Sequence, residues 1–164
     1  MAEEAKTGKE NMDIDAVIRE RFDLPDIDVR TCPPLTLAYI GDAVYGLVIR
    51  SIVLGDGKGK VNTLHRHTSH LVKAASQSEM LEYLFPVMTK EEYAVYKRGR
   101  NAKSFTKAKN ATIVEYRRAT GFEAVMGYLY LTDSFDRLME LVDIGLKGLK
   151  EKEKSETEKI SGKK

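Results

Sequence analysis

The chain has one cysteine, no tryptophan and four prolines in 164 residues, and its formal net charge is only +2. The single cysteine, Cys32, excludes an internal disulfide framework and a cysteine zinc cluster, and it fits a reducing compartment. A charge so close to zero names no partner, so any signal for an acidic or basic ligand must be local. Residues 1–11 are polar and charged, without the apolar centre of a secretory signal. No apolar run is expected to reach bilayer-spanning length, so the chain is expected in the cytoplasm with no membrane partner. Sustained β-branched alternation, the mark of a strand, is missing, and no internal repeat is evident. One further absence points somewhere: between Glu92 and Glu115 there is no acidic residue.

What is present reads as an all-α fold. A disordered leader (1–11), one domain (12–150) and a charged disordered tail (151–164) are expected. Asp13 to Phe22 carries a helical apolar stripe of Ile14, Val17, Ile18 and Phe22. A helix from about Leu35 to Leu54 begins beside Pro34 and ends at the glycine-rich run Gly55-Asp56-Gly57-Lys58-Gly59-Lys60. Val61 to Met88 reads as one long helix or two shorter ones. Thr89 with Glu91 and Glu92 marks a helix start that runs to about Gly99. Residues 101–110 read as a loop, a helix follows from Ala111–Thr112 to about Thr132, and Ser134 opens the last one.

Two acids interrupt the apolar pattern. Asp42 lies inside Leu35–Arg50, and Glu123 inside Ala119–Leu131, both otherwise almost wholly apolar and small. A charge on a buried surface costs several kcal/mol unless it is paired, shifted in pKa or bound to a metal. At helical spacing Asp42 is flanked by Ala38 and Gly46, and Glu123 by Ala119 and Gly127, so each acid sits in a strip of small residues. If the strips face each other, the carboxylates converge in a tight gap and require a cation. Mg²⁺, with Mn²⁺ as a substitute, takes oxygen ligands and retains several waters, so two carboxylates suffice. Such an ion activates water against a phosphodiester and steadies the developing charge. The competing reading makes both acids structural, with Asp42 accepting from a nearby Lys, Arg or Tyr and Glu123 paired with Arg117 or Arg118.

The acid-free gap holds Lys97, Arg98, Arg100, Lys103, Lys107 and Lys109. Asn101, Ser104, Thr106, Asn110 and Thr112 add donors suited to phosphate oxygens. This stretch reads as a loop that contacts a nucleic-acid backbone, against the alternative of an ordinary solvated basic face. It has one aromatic, Phe105, which favours a duplex held by shape and phosphates over stacked single strands. His65, His67 and His70 on the third helix lack an H-E-x-x-H pattern and a third soft ligand, so surface or secondary RNA contacts are preferred to a zinc site.

Leu37-Ala38-Tyr39-Ile40-Gly41-Asp42-Ala43-Val44-Tyr45 resembles the signature stretch of ribonuclease III catalytic domains, most closely that of the small bacterial Mini-ribonuclease III branch. Lys97-Arg98-Gly99-Arg100-Asn101-Ala102-Lys103-Ser104 resembles that branch's basic loop. Tyr116-Arg117, followed by Thr120-Gly121-Phe122-Glu123-Ala124-Val125-Met126-Gly127-Tyr128-Leu129-Tyr130-Leu131, resembles its second acidic motif. The resemblance covers roughly Leu35 to Leu149. It implies an all-helical, homodimeric endonuclease domain with Mg²⁺ in each active site and Asp42 and Glu123 as metal ligands. It implies double-stranded RNA as substrate, specifically the ends of 23S ribosomal RNA precursors, with a ribosomal protein as a candidate partner. The sequence ends soon after the catalytic-type helices, so the separate double-stranded-RNA-binding domain of longer members is not expected. Longer members have acids where this chain has Ala38 and Thr120, departures usual in the Mini branch. An acid common in that branch is replaced here by Gly46. Two rivals remain: a non-catalytic RNA-binding ribosome-assembly protein on the same fold, and a purely structural helical interaction module.

Overall fold

Seven helices are the regular elements among the described residues, which are 12–57, 59–104 and 110–162 of a computed structural model. They are α1 (Ile14–Phe22), α2 (Pro34–Gly55), α3 (Val61–Val72), α4 (Ala74–Leu84), α5 (Lys90–Asn101), α6 (Ile113–Leu131) and α7 (Phe135–Ser161). The all-α expectation holds, and the helices start where the sequence places its stop and start signals. Pro34 opens α2. Thr89 with Glu92, and Thr112 with Glu115, form reciprocal capping boxes at the heads of α5 and α6. Helix α6 is central: it packs against α2, α5 and α4, while α7 packs across α4. Leu37, Tyr45, Ile49, Met80, Leu81, Leu84, Phe122, Met126, Leu138 and Leu141 fill the core. Arg137 of α7 holds Glu92 with Nε at 2.9 Å and Nη2 at 3.1 Å, tying α7 to the head of α5.

Backbone-to-backbone approach at two crossings positions the site. A Cβ on Gly41 would lie 1.8 Å from the Glu123 carbonyl oxygen, and one on Gly127 would lie 2.0 Å from the Leu37 oxygen. Helices α2 and α6 therefore touch along Gly41 and Gly127. On the other side, a Cβ on Gly99 would meet Ala124 Cβ at 2.8 Å, which brings α5 onto α6 in the same way. Gly99, at the end of α5 in the basic stretch, is buried in this crossing.

Gly46 also departs from expectation. It is buried, but it does not face α6: a Cβ there would meet only the Arg50 guanidinium, at 2.8 Å. Five residues along a helix turn the side-chain direction by about 140° from Gly41, so the strip through Asp42 lies beside the crossing rather than in it. Because Arg50 is flexible, Gly46→Ala is expected to leave stability intact or raise it by up to about 1 kcal/mol, from helix propensity. A denaturant midpoint below that of the wild type would contradict this.

Three boundary expectations change. The apolar stripe expected on α1 is present but not covered, since no residue of that helix is buried and Phe22 is 69% exposed. The tail expected to be disordered from 151 continues α7 to Ser161, exposed but helical. Its alternating Lys and Glu are strong helix formers with favourable i,i+4 pairs. Lys152 pairs with Glu79 and Glu153 meets His70 at 3.2 Å, so the extension also touches α4 and α3. Finally, α2 is long and apolar enough to cross a membrane by length and composition, with mean hydropathy 1.6. Half of that stretch is buried inside the domain, where it supplies the core face against α6. The leader 1–11 lies outside the described residues.

Candidate active site

Asp42 follows the contact glycine of α2, and Glu123 supplies the carbonyl against which that glycine rests. Both carboxylates line one cleft of about 600 Å³, together with Ala38, Tyr39, Ser104, Tyr116 and Thr120. Sequence reasoning brought these two acids together, and the structure places them together by the approach of Gly41 rather than of Gly46.

The two acids differ in environment. Asp42 is exposed and makes no hydrogen bond or ion pair with a described residue. Glu123 is largely enclosed, and its carboxyl is pushed up to about 7, first by burial and then by the charge of Asp42, with the Gln77 amide opposing the rise. Neither arginine of the structural alternative reaches Glu123. Arg118 donates to the Ser78 carbonyl and pairs with Glu82, and Arg117 lines the neighbouring cavity. Below the site, Tyr45 is fully buried, with its hydroxyl donating to the Leu71 carbonyl at 2.9 Å. Burial, and then the Glu123 charge, raise its pKa further. It is a core residue with a satisfied hydroxyl, as its sequence context suggests.

These features fit a hard divalent cation. Two unneutralised carboxylates share a cleft, one of them desolvated, and a cation would relieve both the repulsion and the burial. Among the described residues no third His, Cys, Asp or Glu joins them. Ala38 and Thr120, at the positions where longer family members are acidic, do face this cleft. The Thr120 hydroxyl is turned back on its own helix and donates to the Tyr116 carbonyl at 3.0 Å.

The basic stretch divides in two. Lys97, Arg98, Arg100 and Asn101 lie on the last turns of α5, not on a loop. Lys97 Nζ stands 5.3 Å from the Tyr93 ring centroid, and the Arg100 guanidinium 6.0 Å from that of Tyr96. Lys103 and Ser104 follow the helix, and they reach the site. Ser104 Oγ and the Tyr116 hydroxyl are 3.1 Å apart in the carboxylate cleft. Lys103 lines an adjoining cavity of about 420 Å³ that shares Ser104, Tyr116 and Thr120 with that cleft. Lys107 and Lys109 lie outside the described residues. Tyr116 stands in the second acidic motif without an assigned role, and sequence reasoning passes over Gln77 although it carries a signal. It occupies the first place in the stripe Gln77, Met80, Leu81, Leu84, a polar side chain where helical periodicity calls for an apolar one.

An all-helical domain with a two-carboxylate cleft between α2 and α6 has the form of a ribonuclease III nuclease domain, and the Ribonuclease III domain family matches residues 35–134. The curated relatives narrow the class. The chain is 47% identical over 118 residues to the Mini-ribonuclease 3 of Enterococcus faecalis, covering 71% of this chain and 89% of that protein. It is 46% identical over 132 residues to that of Clostridium tetani, covering 80% and 87%. A crystal structure of a Fusobacterium nucleatum protein superposes with a TM-score of 0.66 at 31% identity, over 74% of this chain and 97% of that one. The chain belongs to the Mini-ribonuclease III branch of the ribonuclease III family.

Proposed function

We propose that the chain is a divalent-metal-dependent endoribonuclease that cuts double-stranded RNA, with precursors of 23S ribosomal RNA as its substrate. The observation that carries this reading is the shared cleft of Asp42 and Glu123, in which neither carboxylate has a cationic partner among the described residues and the Glu123 carboxyl is pushed up to about 7 by burial and by Asp42. Asp42 and Glu123 would hold Mg²⁺, with Mn²⁺ as a substitute. The bound ion supplies Lewis-acid activation of water and neutralises charge developing on the phosphodiester. Lys97, Arg98, Arg100, Asn101, Lys103, Ser104, Lys107 and Lys109 are assigned to the RNA backbone. The Ser104–Tyr116 contact supports this assignment, because it joins the end of the basic stretch to the carboxylates.

A homodimer is part of the proposal. Helix α2 exposes Tyr39, Leu47 and Leu54, at 80%, 60% and 68%. An apolar groove of about 620 Å³ runs beside Leu47, lined also by Ile14, Ile18, Tyr130, Phe135 and Met139. A contiguous apolar patch of this kind marks an interaction surface, and a second copy covering it would set two clefts on one duplex. A cytoplasmic site of action and a ribosomal protein as helper complete the reading.

The test is incubation of a defined RNA duplex with wild type and Asp42→Asn, with and without Mg²⁺ or Mn²⁺. Metal-dependent products from the wild type alone are expected. Equal cleavage by both proteins overturns the metal assignment. Salt-sensitive duplex binding without any product favours the non-catalytic RNA-binding rival. For the basic stretch, Lys103→Gln is expected to weaken duplex binding several-fold and to lower the slope of log K against log salt by about one. Binding measured across a salt series checks this, and an unchanged slope removes Lys103 from the backbone contacts.

A further inference from the structure

We propose that the pocket where α4, α5 and α6 meet binds one unpaired nucleotide of the RNA strand, beyond the paired region that lies over the carboxylates; the proposal rests on the RNA-substrate reading above. Phe85, Tyr93 and Tyr96 wall this pocket, Arg100, Arg117 and Arg118 edge it, and its volume is about 390 Å³. Arg117 also lines the cavity of about 420 Å³ that adjoins the carboxylate cleft, so the pocket borders the surface leading to Asp42 and Glu123.

The guanidinium groups suit the phosphate of such a nucleotide. That of Arg100 lies 6.0 Å from the Tyr96 ring centroid, and that of Arg118 lies 5.6 Å from the Phe85 centroid. A guanidinium held over a ring is restrained, yet it keeps N–H donors for an anion. Arg117 makes no hydrogen bond or ion pair with a described residue. Arg100 donates to Asn101 Oδ1 at 3.2 Å and pairs with no described carboxylate. Arg118 is engaged through Nη2, by the Ser78 carbonyl and by Glu82. Among the described residues no acid lines the pocket.

The rings call for more than a phosphate. Tyr96 is a core residue, packed on α6 at Gly121. Tyr93, one turn earlier, is 41% exposed, with its ring 5.8 Å from that of Tyr96 and 6.0 Å from that of Phe85. It forms the exposed side of a three-ring cluster, a surface on which a base can stack. A lone phosphate would leave most of the volume unfilled, whereas about 390 Å³ falls in the range of sites that enclose a small organic ligand. Bases inside an A-form duplex stack on one another and offer no face to a protein ring; an unpaired base does. The basic stretch from Lys97 to Lys109 carries a single aromatic of its own. The fold changes that balance by setting three rings from ahead of Lys97 beside Arg100. The duplex remains the substrate of the cleft, and the pocket adds recognition of what flanks it.

Anisotropy titrations of fluorescent RNA with metal-free protein, in which no cleavage competes, test this. One duplex is compared in three forms: blunt, with a short single-stranded 5′ extension, and with a short 3′ extension. The wild type is expected to bind one extended form about tenfold more tightly than the blunt form. That ratio should fall to near one in Arg117→Gln and in Tyr93→Leu. Equal affinity of the wild type for all three forms overturns the proposal and leaves the duplex reading standing. No binding to any form overturns both. A preference that survives in both variants also overturns the proposal. A second measurement needs no variant: a photoreactive thiouridine in the favoured extension, irradiated in complex with the wild type, should crosslink to α5 or the head of α6, with Tyr93 foremost. Crosslinks confined to other elements overturn the proposal.

Discussion

Glu123→Gln is expected to raise the melting temperature of the metal-free protein at pH 8 while removing RNA cleavage. The carboxyl of Glu123 sits at about 7 in the folded chain, against an ordinary 4.5, because burial and then the Asp42 charge disfavour its ionised form. In the unfolded chain it ionises normally. Between pH 4.5 and 7 the folded state therefore holds more protons than the unfolded one, and stability falls as pH rises. The loss is absent below the unfolded pKa and complete above the folded one. A rise from 4.5 to about 7 corresponds to about 3 kcal/mol at most. The neutral amide must itself be desolvated, so a net gain of about 1–3 kcal/mol is expected, or several degrees in a domain of this size. At pH 4 the gain should vanish. Cleavage should fall by roughly 10³ or more, equivalent to about 4 kcal/mol of lost transition-state stabilisation. Thermal melts at pH 4 and pH 8, with a duplex-cleavage assay alongside, check both halves. Mg²⁺ should stabilise the wild type by mass action and leave Glu123→Gln unmoved. Equal melting temperatures at pH 8 would mean that the carboxylate is not destabilised by its surroundings.

Gly41→Ala is expected to be among the most damaging substitutions in the chain, at about 3 kcal/mol or more. The new Cβ would lie 1.8 Å from the Glu123 carbonyl oxygen and 2.6 Å from the Gly127 nitrogen. Both are backbone atoms of a central helix, so no side chain can swing aside, and α2 must separate from α6. Gly127→Ala meets the same obstacle from the other helix, 2.0 Å from the Leu37 oxygen. Because these helices carry Asp42 and Glu123, the damage extends beyond stability. Cleavage per folded molecule should also fall, since a misplacement of about 1 Å at a reacting site costs on the order of 10²-fold. Denaturant midpoints together with activity per folded protein separate the two effects. A midpoint within about 0.5 kcal/mol of the wild type would show that the helices do not meet at this glycine.

The contrast between Gly41 and Gly46 shows how far the sequence could be read. An isolated acid in an apolar helix is legible because desolvation makes it costly wherever the helix packs, and Asp42 and Glu123 both declare themselves this way. Which small residue lets the helices touch is not legible from spacing alone. Asp42 has Gly41 directly before it and Gly46 four residues after it, and the choice depends on the azimuth at which α2 meets α6, a property of the whole bundle. The helix starts at Thr89 and Thr112 were readable because capping is local chemistry, with donor and acceptor three residues apart. The tail was misjudged because its Lys/Glu composition describes an exposed helix as well as a solvated coil. Docking of Lys152 on Glu79 involves residues 73 positions apart. The stripe of α1 is genuine, yet it stays exposed, since an amphipathic pattern signals that something covers a face without saying what. Gln77 carries the same kind of signal as Asp42, a polar residue at an apolar position. An uncharged amide is cheaper to bury and stands out less.

Asp42 and Glu123 are proposed to hold a single divalent-metal site between them. Calorimetric titration of Mg²⁺ or Mn²⁺ into the metal-free protein, without RNA, tests it most directly. Saturable binding by the wild type, lost both in Asp42→Asn and in Glu123→Gln, is the expected result. Binding that persists at wild-type affinity in either variant would contradict it.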